Sequence, residues 1–285
     1  MIVAFWNVNK NCTIDNLIFD LLYENKVDIL ILAEYENDID ELCKKLNTKI
    51  PRFKPLQSVS IGCDRIKGIY NSRYSQRPLF ANTRCLITSF STSYFKIIFG
   101  MIHAHSNLHK TDNDRIMYFS KFYKDVENCE SELDTYNTII LGDFNSNPFD
   151  HSIISAGALH AIPYKEEAAK LCRTVDEISY KTFYNPSWKL IAQNTPPYGT
   201  YYYNSSDCAN YFWNIYDQVI IRPNLIKAFV DDSLRIITKI KNKTLLKDEY
   251  KPNKNYSDHL PIVFEIKEEK IKWVVYLNLR LIISI

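Results

Sequence analysis

A chain of 285 residues has room for one large domain or two ordinary ones, and either arrangement buries a large core. Hydrophobic residues at 46% against charged residues at 24% exclude a disordered chain, and 35 Lys and Arg against 33 Asp and Glu exclude wholesale electrostatic capture of nucleic acid. Seven scattered cysteines (12, 43, 63, 85, 129, 172 and 208) contain no C-x-x-C pair, which excludes a disulfide framework and a zinc knuckle and suits a reducing, cytoplasmic setting.

The opening "MIVAFWNVNK" lacks the charged and long apolar regions of an export signal and reads as a first strand ending in Asn7. In "TIDNLIFDLLYENK" the apolar residues 14, 17, 18, 21 and 22 recur at helical spacing, with Thr13 as the expected N-cap. The run "VDILILA" then ends in Glu34, and "FKIIFGMI" ends in His103. A second helix is read over 114–129, before "NTIILG" ends in Asp143. Asn147 followed by Pro148 suits the N-cap and first position of another helix, continued by "HSIISAGAL", with Asp150 as first-turn charge. Strands are expected at 215–221 and 259–266. Apolar runs of this length without strict alternation suit strands covered on both faces, and their alternation with helices predicts a layered α/β fold. The tail 267–285 stands apart from a domain spanning 1–266 and reads as an added strand or an interaction segment. No window reaches the roughly 18 apolar residues of a spanning helix, so no stable membrane insertion is expected.

Each apolar run ends in a group able to hold a hard cation or move a proton: Asn7, Glu34, His103, Asp143 with Asn145, Asp217, and Asp258 with His259. Carboxylate and amide oxygens are the ligands magnesium prefers, and imidazole supplies proton transfer. Each residue also has a structural explanation. Asp143 and Asn145 suit an Asx-turn, Asn7 a turn after a strand, and Glu34 a solvated helix start. The joint pattern, in order along the chain, favours a site.

That order carries a resemblance. "WNVN", "LILAEYE", "MIHAHS", "LGDFNSNP", "YDQV" and "SDHLPI" follow one another as in the endonuclease/exonuclease/phosphatase superfamily, and the match spans about residues 2 to 266. The resemblance implies a four-layered α/β sandwich of the DNase I-like type, two facing mixed sheets with outer helices, and a Mg²⁺ site that Mn²⁺ can also fill. It implies Glu34 as principal metal ligand with Asn7 and Asp258 beside it, and Asp143 and Asn145 aligning water and phosphate. His259, oriented by Asp217, is the implied general base, and His103 contacts the phosphate or assists the leaving group. His105, two residues on and so on the same face of a strand, competes for the His103 role. Lys10 departs from the glycine usual after the opening Asn-x-Asn of exonuclease III relatives.

The implied activity is metal-dependent phosphodiester hydrolysis, with nucleic acid as the expected substrate. The loop 239–256 brings six lysines, Lys251 and Lys254 among them, up to the catalytic end, where they suit a polyanionic backbone. The aromatic stretch "YGTYYYNSSDCANYFWNIYD" leads into Asp217 and suits a stacking platform, although its alternation also fits core-facing rings. Three other readings stay open: a phospholipid or small phosphate ester as substrate, a zinc hydrolase built on "HAHSNLH", and a non-enzymatic binding module.

Overall fold

The computed structural model describes residues 1–60, 62–106, 111–191, 193–206 and 208–271. In chain order, β1 (Ile2–Asn7), α1 (Asp15–Glu24), β2 (Ile29–Ala33) and α2 (Ile39–Asn47) lead into a run of strands. These are β3 (Phe53–Pro55), β4 (Ile66–Asn71), β5 (Ser75–Ala81), β6 (Cys85–Ser91) and β7 (Lys96–His103). The long helix α3 (Asp112–Leu133) crosses to β8 (Thr138–Asp143). Shorter pieces follow: α4 (His151–Ile154), β9 (Ala161–Ile162), α5 (Lys165–Ala168), β10 (Cys172–Val175), β11 (Ile178–Lys181) and β12 (Phe183–Tyr184). The pair β13 (Tyr201–Tyr202) and β14 (Trp213–Asn214) precedes β15 (Asp217–Ile221) and β16 (Phe229–Ile236). Two small hairpins, β17 (Lys239–Ile240) with β18 (Lys243–Thr244) and β19 (Leu246–Lys247) with β20 (Lys251–Pro252), come before β21 (Ile262–Ile266).

The strands form two mixed sheets, ordered β16-β21-β1-β2-β4-β3 and β5-β6-β7-β8-β15-β12-β9. Residues such as Val3, Phe5 and Ile31 from the first face Phe99, Leu141 and Val219 from the second in one core. The opposite face of the first sheet, including Trp6 and Leu32, packs on α1 and α2 through Leu17, Leu21 and Leu42. The outer face of the second takes Phe119, Phe122 and Val126 of α3. Because both faces of each sheet are covered, β1, β2 and β8 are buried along nearly their whole length, which explains their unbroken apolar sequences. The molecule is a four-layered α/β sandwich.

Several local expectations are corrected. Thr13 does not cap α1: its hydroxyl donates to Asn11 Oδ1 at 2.8 Å in a turn just ahead of the helix, and Ile14 holds the cap position. The segment after Asn147 is a turn rather than a helix start. Asp150 Oδ2 accepts the Asn147 amide at 2.8 Å, and α4 begins only at His151. Asp150 is therefore a turn-holding residue beyond its charge. The second helix is longer than 114–129, because Thr111 and Asp114 form a capping box that starts it at Asp112. The last strand starts at Ile262 and not at 259, since Pro261 has no N–H to give a ladder. Of the tail, Ile271 is buried in the intersheet core and Glu268 lies 2.7 Å from Arg73 and 3.1 Å from the Met1 amine. The expected added strand falls on residues 272–285, outside the described residues.

Candidate active site

Strand pairing brings the predicted residues together before any side chain is considered. In the first sheet β1 and β2 run parallel, with Asn7 opposite Ala33, so Asn7 and Glu34 leave the same edge. In the second, His103 is registered with Asp143 across parallel β7 and β8, and Asp143 with Asp217 across antiparallel β8 and β15. Gly142 makes this row possible. Its φ is +147°, and a Cβ there would meet Ile102 O of β7 at 1.9 Å.

The two sheet edges then touch through their side chains. Asn7 Nδ2 donates to Asp143 Oδ2 at 3.0 Å, and His103 Nε2 lies 3.3 Å from Glu34 Oε1 and 3.8 Å from Asp143 Oδ2. Asp143 uses its other oxygen to accept the Asn145 amide at 2.9 Å. The Asx-turn and the site are thus the same structure, one carboxylate oxygen for each. Asn7 divides itself likewise, its Oδ1 accepting the Asn9 amide at 3.0 Å. Glu34 and Asn145 adopt left-handed backbone (φ 52° and 48°), which Asn takes readily and Glu less so.

His259 is fixed on all sides. Its Nδ1 is 2.8 Å from Asp217 Oδ2, leaving Nε2 facing the cleft 3.9 Å from Asp143 Oδ2. Trp6 Nε1 donates to its carbonyl at 3.0 Å, and its amide donates to Ser257 Oγ at 3.0 Å. Ser257 in turn donates to Asn7 O at 2.7 Å, which ties the histidine loop to the end of β1. Tyr201 lies against the imidazole with ring centroids 4.6 Å apart, and Thr200 Oγ1 accepts the Asp217 amide at 3.1 Å. Ser257 was legible as part of "SDHLPI", and Tyr201 as one ring of the aromatic stretch; the contact of Tyr201 with His259 and the bond from Asp217 to Thr200 were not, because they join segments that meet only in the folded chain.

The two histidines are pushed in opposite directions. Burial disfavours the charged form of His259, but Asp217 and Asp143 outweigh it and raise His259 to about 10. Burial lowers His103 to about 4, helped by Arg65 and Arg84 and opposed by Asp143. His103 is therefore neutral at neutral pH. Burial also holds Asp143 above the ordinary carboxylate range, with Asp217 adding to the effect and His259 opposing it.

Asn7, Glu34, His103, Asp143, Asn145, Asp258 and His259 line one cleft of about 460 Å³. Asp217 is buried behind His259, with Oδ1 lacking a hydrogen-bond partner among the described residues. Asp143, Asp217 and His259 offer ligand atoms all within 4.8 Å of one another. With Asp217 bonded to His259 Nδ1, this trio is better matched to proton transfer than to holding an ion. The oxygens of Glu34, Asn7 and Asp258 are the hard donors that suit Mg²⁺, and their place in an open cleft leaves room for water and phosphate. His105 does not join them. The strand ends at His103, so the same-face expectation fails, and His105 packs edge-on to Tyr118 at 5.4 Å in a different cavity. His109 lies outside the described residues. Lys251 and Lys254 line a neighbouring cavity that shares Asp258 and Tyr203 with the cleft.

No family model matches the sequence, and no curated protein matches it. Solved structures do match. An AP endonuclease from Archaeoglobus fulgidus aligns at 15% identity and a TM-score of 0.54, covering 93% of this chain and 99% of that one. TDP2 from D. rerio, complexed with single strand DNA product, aligns at 15% identity and a TM-score of 0.54, covering 93% and 97%. The 3' phosphatase NExo from Neisseria, bound to a product DNA hairpin, aligns at 16% identity and a TM-score of 0.53, covering 93% and 99%. The chain has the DNase I-like fold of these structures. In this DNase I-like sandwich the cleft sits where both sheets present strand ends along one rim, so a rigid scaffold holds every predicted group except His105, Lys251 and Lys254. No helix among the described residues is long and apolar enough to cross a membrane.

Proposed function

We propose that this protein is a divalent-metal-dependent phosphodiesterase that hydrolyses nucleic acid in the cleft between its two sheets. The observation that carries the reading is the meeting of Glu34 and Asn7 from one sheet with His103, Asp143 and the Asp217-held His259 from the other. Neighbours of the same fold solved with DNA products support nucleic acid as the substrate.

In this reading Glu34, Asn7 and Asp258 would hold Mg²⁺, with Mn²⁺ as a substitute. When bound, the cation stabilises charge developing on the phosphoryl oxygens and offsets the carboxylate field that raises His259. His259 Nε2 takes the proton of the attacking water while Asp217 fixes the ring and stabilises the imidazolium. Asp143 and Asn145 orient the water and the phosphate, and neutral His103 donates a hydrogen bond from Nε2. A P–O ester bond breaks as the new P–O bond forms, and the leaving alkoxide collects a proton from solvent.

The direct test is incubation of the purified protein with single-stranded and duplex DNA and RNA, with Mg²⁺ or Mn²⁺ and then with excess EDTA. Cleavage that EDTA abolishes and added Mg²⁺ restores is expected. Cleavage undiminished by EDTA contradicts the metal role, and turnover of phospholipid or small phosphate esters without nuclease activity contradicts the substrate.

A further inference from the structure

Beside the catalytic cleft lies a second cavity of about 620 Å³, with Tyr203 and Asp258 lining both. A cavity of this size is of the order that holds a small ligand. Its far side carries Lys247, Lys251 and Lys254, all exposed and none in an ion pair among the described residues. Lys247 and Lys251 are registered partners across the β19–β20 hairpin. Like charges placed directly opposite destabilise an antiparallel pair, so this hairpin holds a repulsion that an anion between the two ammonium groups would relieve. Lys251 is also positioned by a ring: its Nζ lies 4.5 Å from the Tyr202 centroid. The acidic Asp248 and Glu249 sit in the hairpin turn and do not line the cavity.

Aromatic rings lead from the catalytic histidine to this cavity. In "TYYY" the alternation of a strand turns Tyr202 toward Trp213 and Tyr250, while Tyr201 and Tyr203 face the cleft. Tyr201 lies on His259, and Tyr203 stacks beside Tyr201 with centroids 6.4 Å apart and planes inclined by 16°. Tyr203, at the outer end of the row, is 49% exposed. An exposed flat ring beside unpaired lysines, one step from a cleft that handles phosphate, is the equipment for a base and its phosphate.

We propose that this second cavity binds the nucleotide next to the cleaved phosphate in a single-stranded nucleic acid, its base on Tyr203 and its phosphate among Lys247, Lys251 and Lys254. The assignment rests on the phosphodiesterase reading above. Single strands are specified because stacking on Tyr203 needs a base with a free face, which an intact duplex does not offer. Three clustered lysines in a chain of near-neutral net charge match one or two phosphates rather than a long duplex footprint.

The test measures binding and turnover separately. Anisotropy of a short fluorescein-labelled single strand, in EDTA to prevent cleavage, should show Tyr203→Ala weakening binding on the order of tenfold and Tyr203→Trp restoring it. Lys251→Ala combined with Lys254→Ala should reduce the slope of log affinity against log salt by about 0.7, the value for one lost phosphate contact on a single strand. With Mg²⁺ present, Tyr203→Ala should lower kcat/KM for the oligonucleotide about tenfold more than for bis(p-nitrophenyl) phosphate, which has no adjoining nucleotide. Tyr203→Ala binding like the wild type, or weakening duplex and single strand equally, overturns the proposal. A wild type that hydrolyses neither substrate overturns the phosphodiesterase reading itself. A wild type that hydrolyses both, with Tyr203→Ala keeping the wild-type ratio, overturns the subsite alone.

Discussion

His103 and His259 are the same side chain in one cleft, and their surroundings give them opposite proton affinities. For His259, raised to about 10, the stabilising contribution is complete below the unfolded value of 6.5 and is lost as pH rises through 10. For His103, lowered to about 4, the unfolded chain takes up a proton below pH 6.5 while the folded one does not, so stability falls as pH drops from 6.5 toward 4. Between pH 7 and pH 4 the wild type should therefore lose about 3 kcal/mol more than His103→Asn, at 1.36 kcal/mol per unit of pKa difference. Urea midpoints in EDTA at several pH values check this, and parallel curves for the two proteins would contradict it. The sequence marks His103 by its place at the end of an apolar run and His259 by its place at the start of one. It does not separate His103 from His105, because that choice depends on where β7 stops pairing with β8, a long-range fact. Thr13 shows the same limit at short range: a neighbouring Asn11 side chain takes the hydroxyl that the capping pattern assigns to the helix.

The elements that carry His103, Asp143 and Asp217 are themselves tied from behind. Arg222, at the end of β15, makes two hydrogen bonds to Glu130 of α3, Nε to Oε1 at 2.8 Å and Nη2 to Oε2 at 3.0 Å. Glu130 Oε1 also accepts the Thr138 hydroxyl of β8 at 2.7 Å, so one buried ion pair joins α3 to both strands that bear Asp143 and Asp217. The Arg222 guanidinium also lies 3.9 Å from the Phe183 ring centroid. Removing one partner leaves a buried charge, and Arg222→Ala should cost about 3–5 kcal/mol in urea unfolding. Glu130→Leu with Arg222→Met should cost far less; a double variant as unstable as Arg222→Ala would show that the pair acts through packing alone. The strands were legible because burial on both faces writes itself as an apolar run. The two-residue strands after residue 160 were not, since two residues carry no period, and their pairing with β15 or each other is decided by distant partners.

At the scale of the molecule, the two sheets supply different halves of the candidate site. The β1–β2 edge brings Glu34 and Asn7, and the β7–β8–β15 edge brings His103, Asp143 and Asp217, so neither sheet holds a site without the other. The sandwich and its rim were readable in the order of strand ends, since a strand end on a buried sheet is a fixed place. The aromatic segment before β15 and the lysine hairpin after β16 each stood out in the sequence, but their joining around one cavity did not, because they meet only in the folded chain. The central claim is proton transfer by His259 in this cleft. Cleavage of a single-stranded oligonucleotide in Mg²⁺ by His259→Ala tests it most directly: a rate loss of about 10²–10⁴-fold with folding intact is predicted, and wild-type cleavage by that variant would contradict the account.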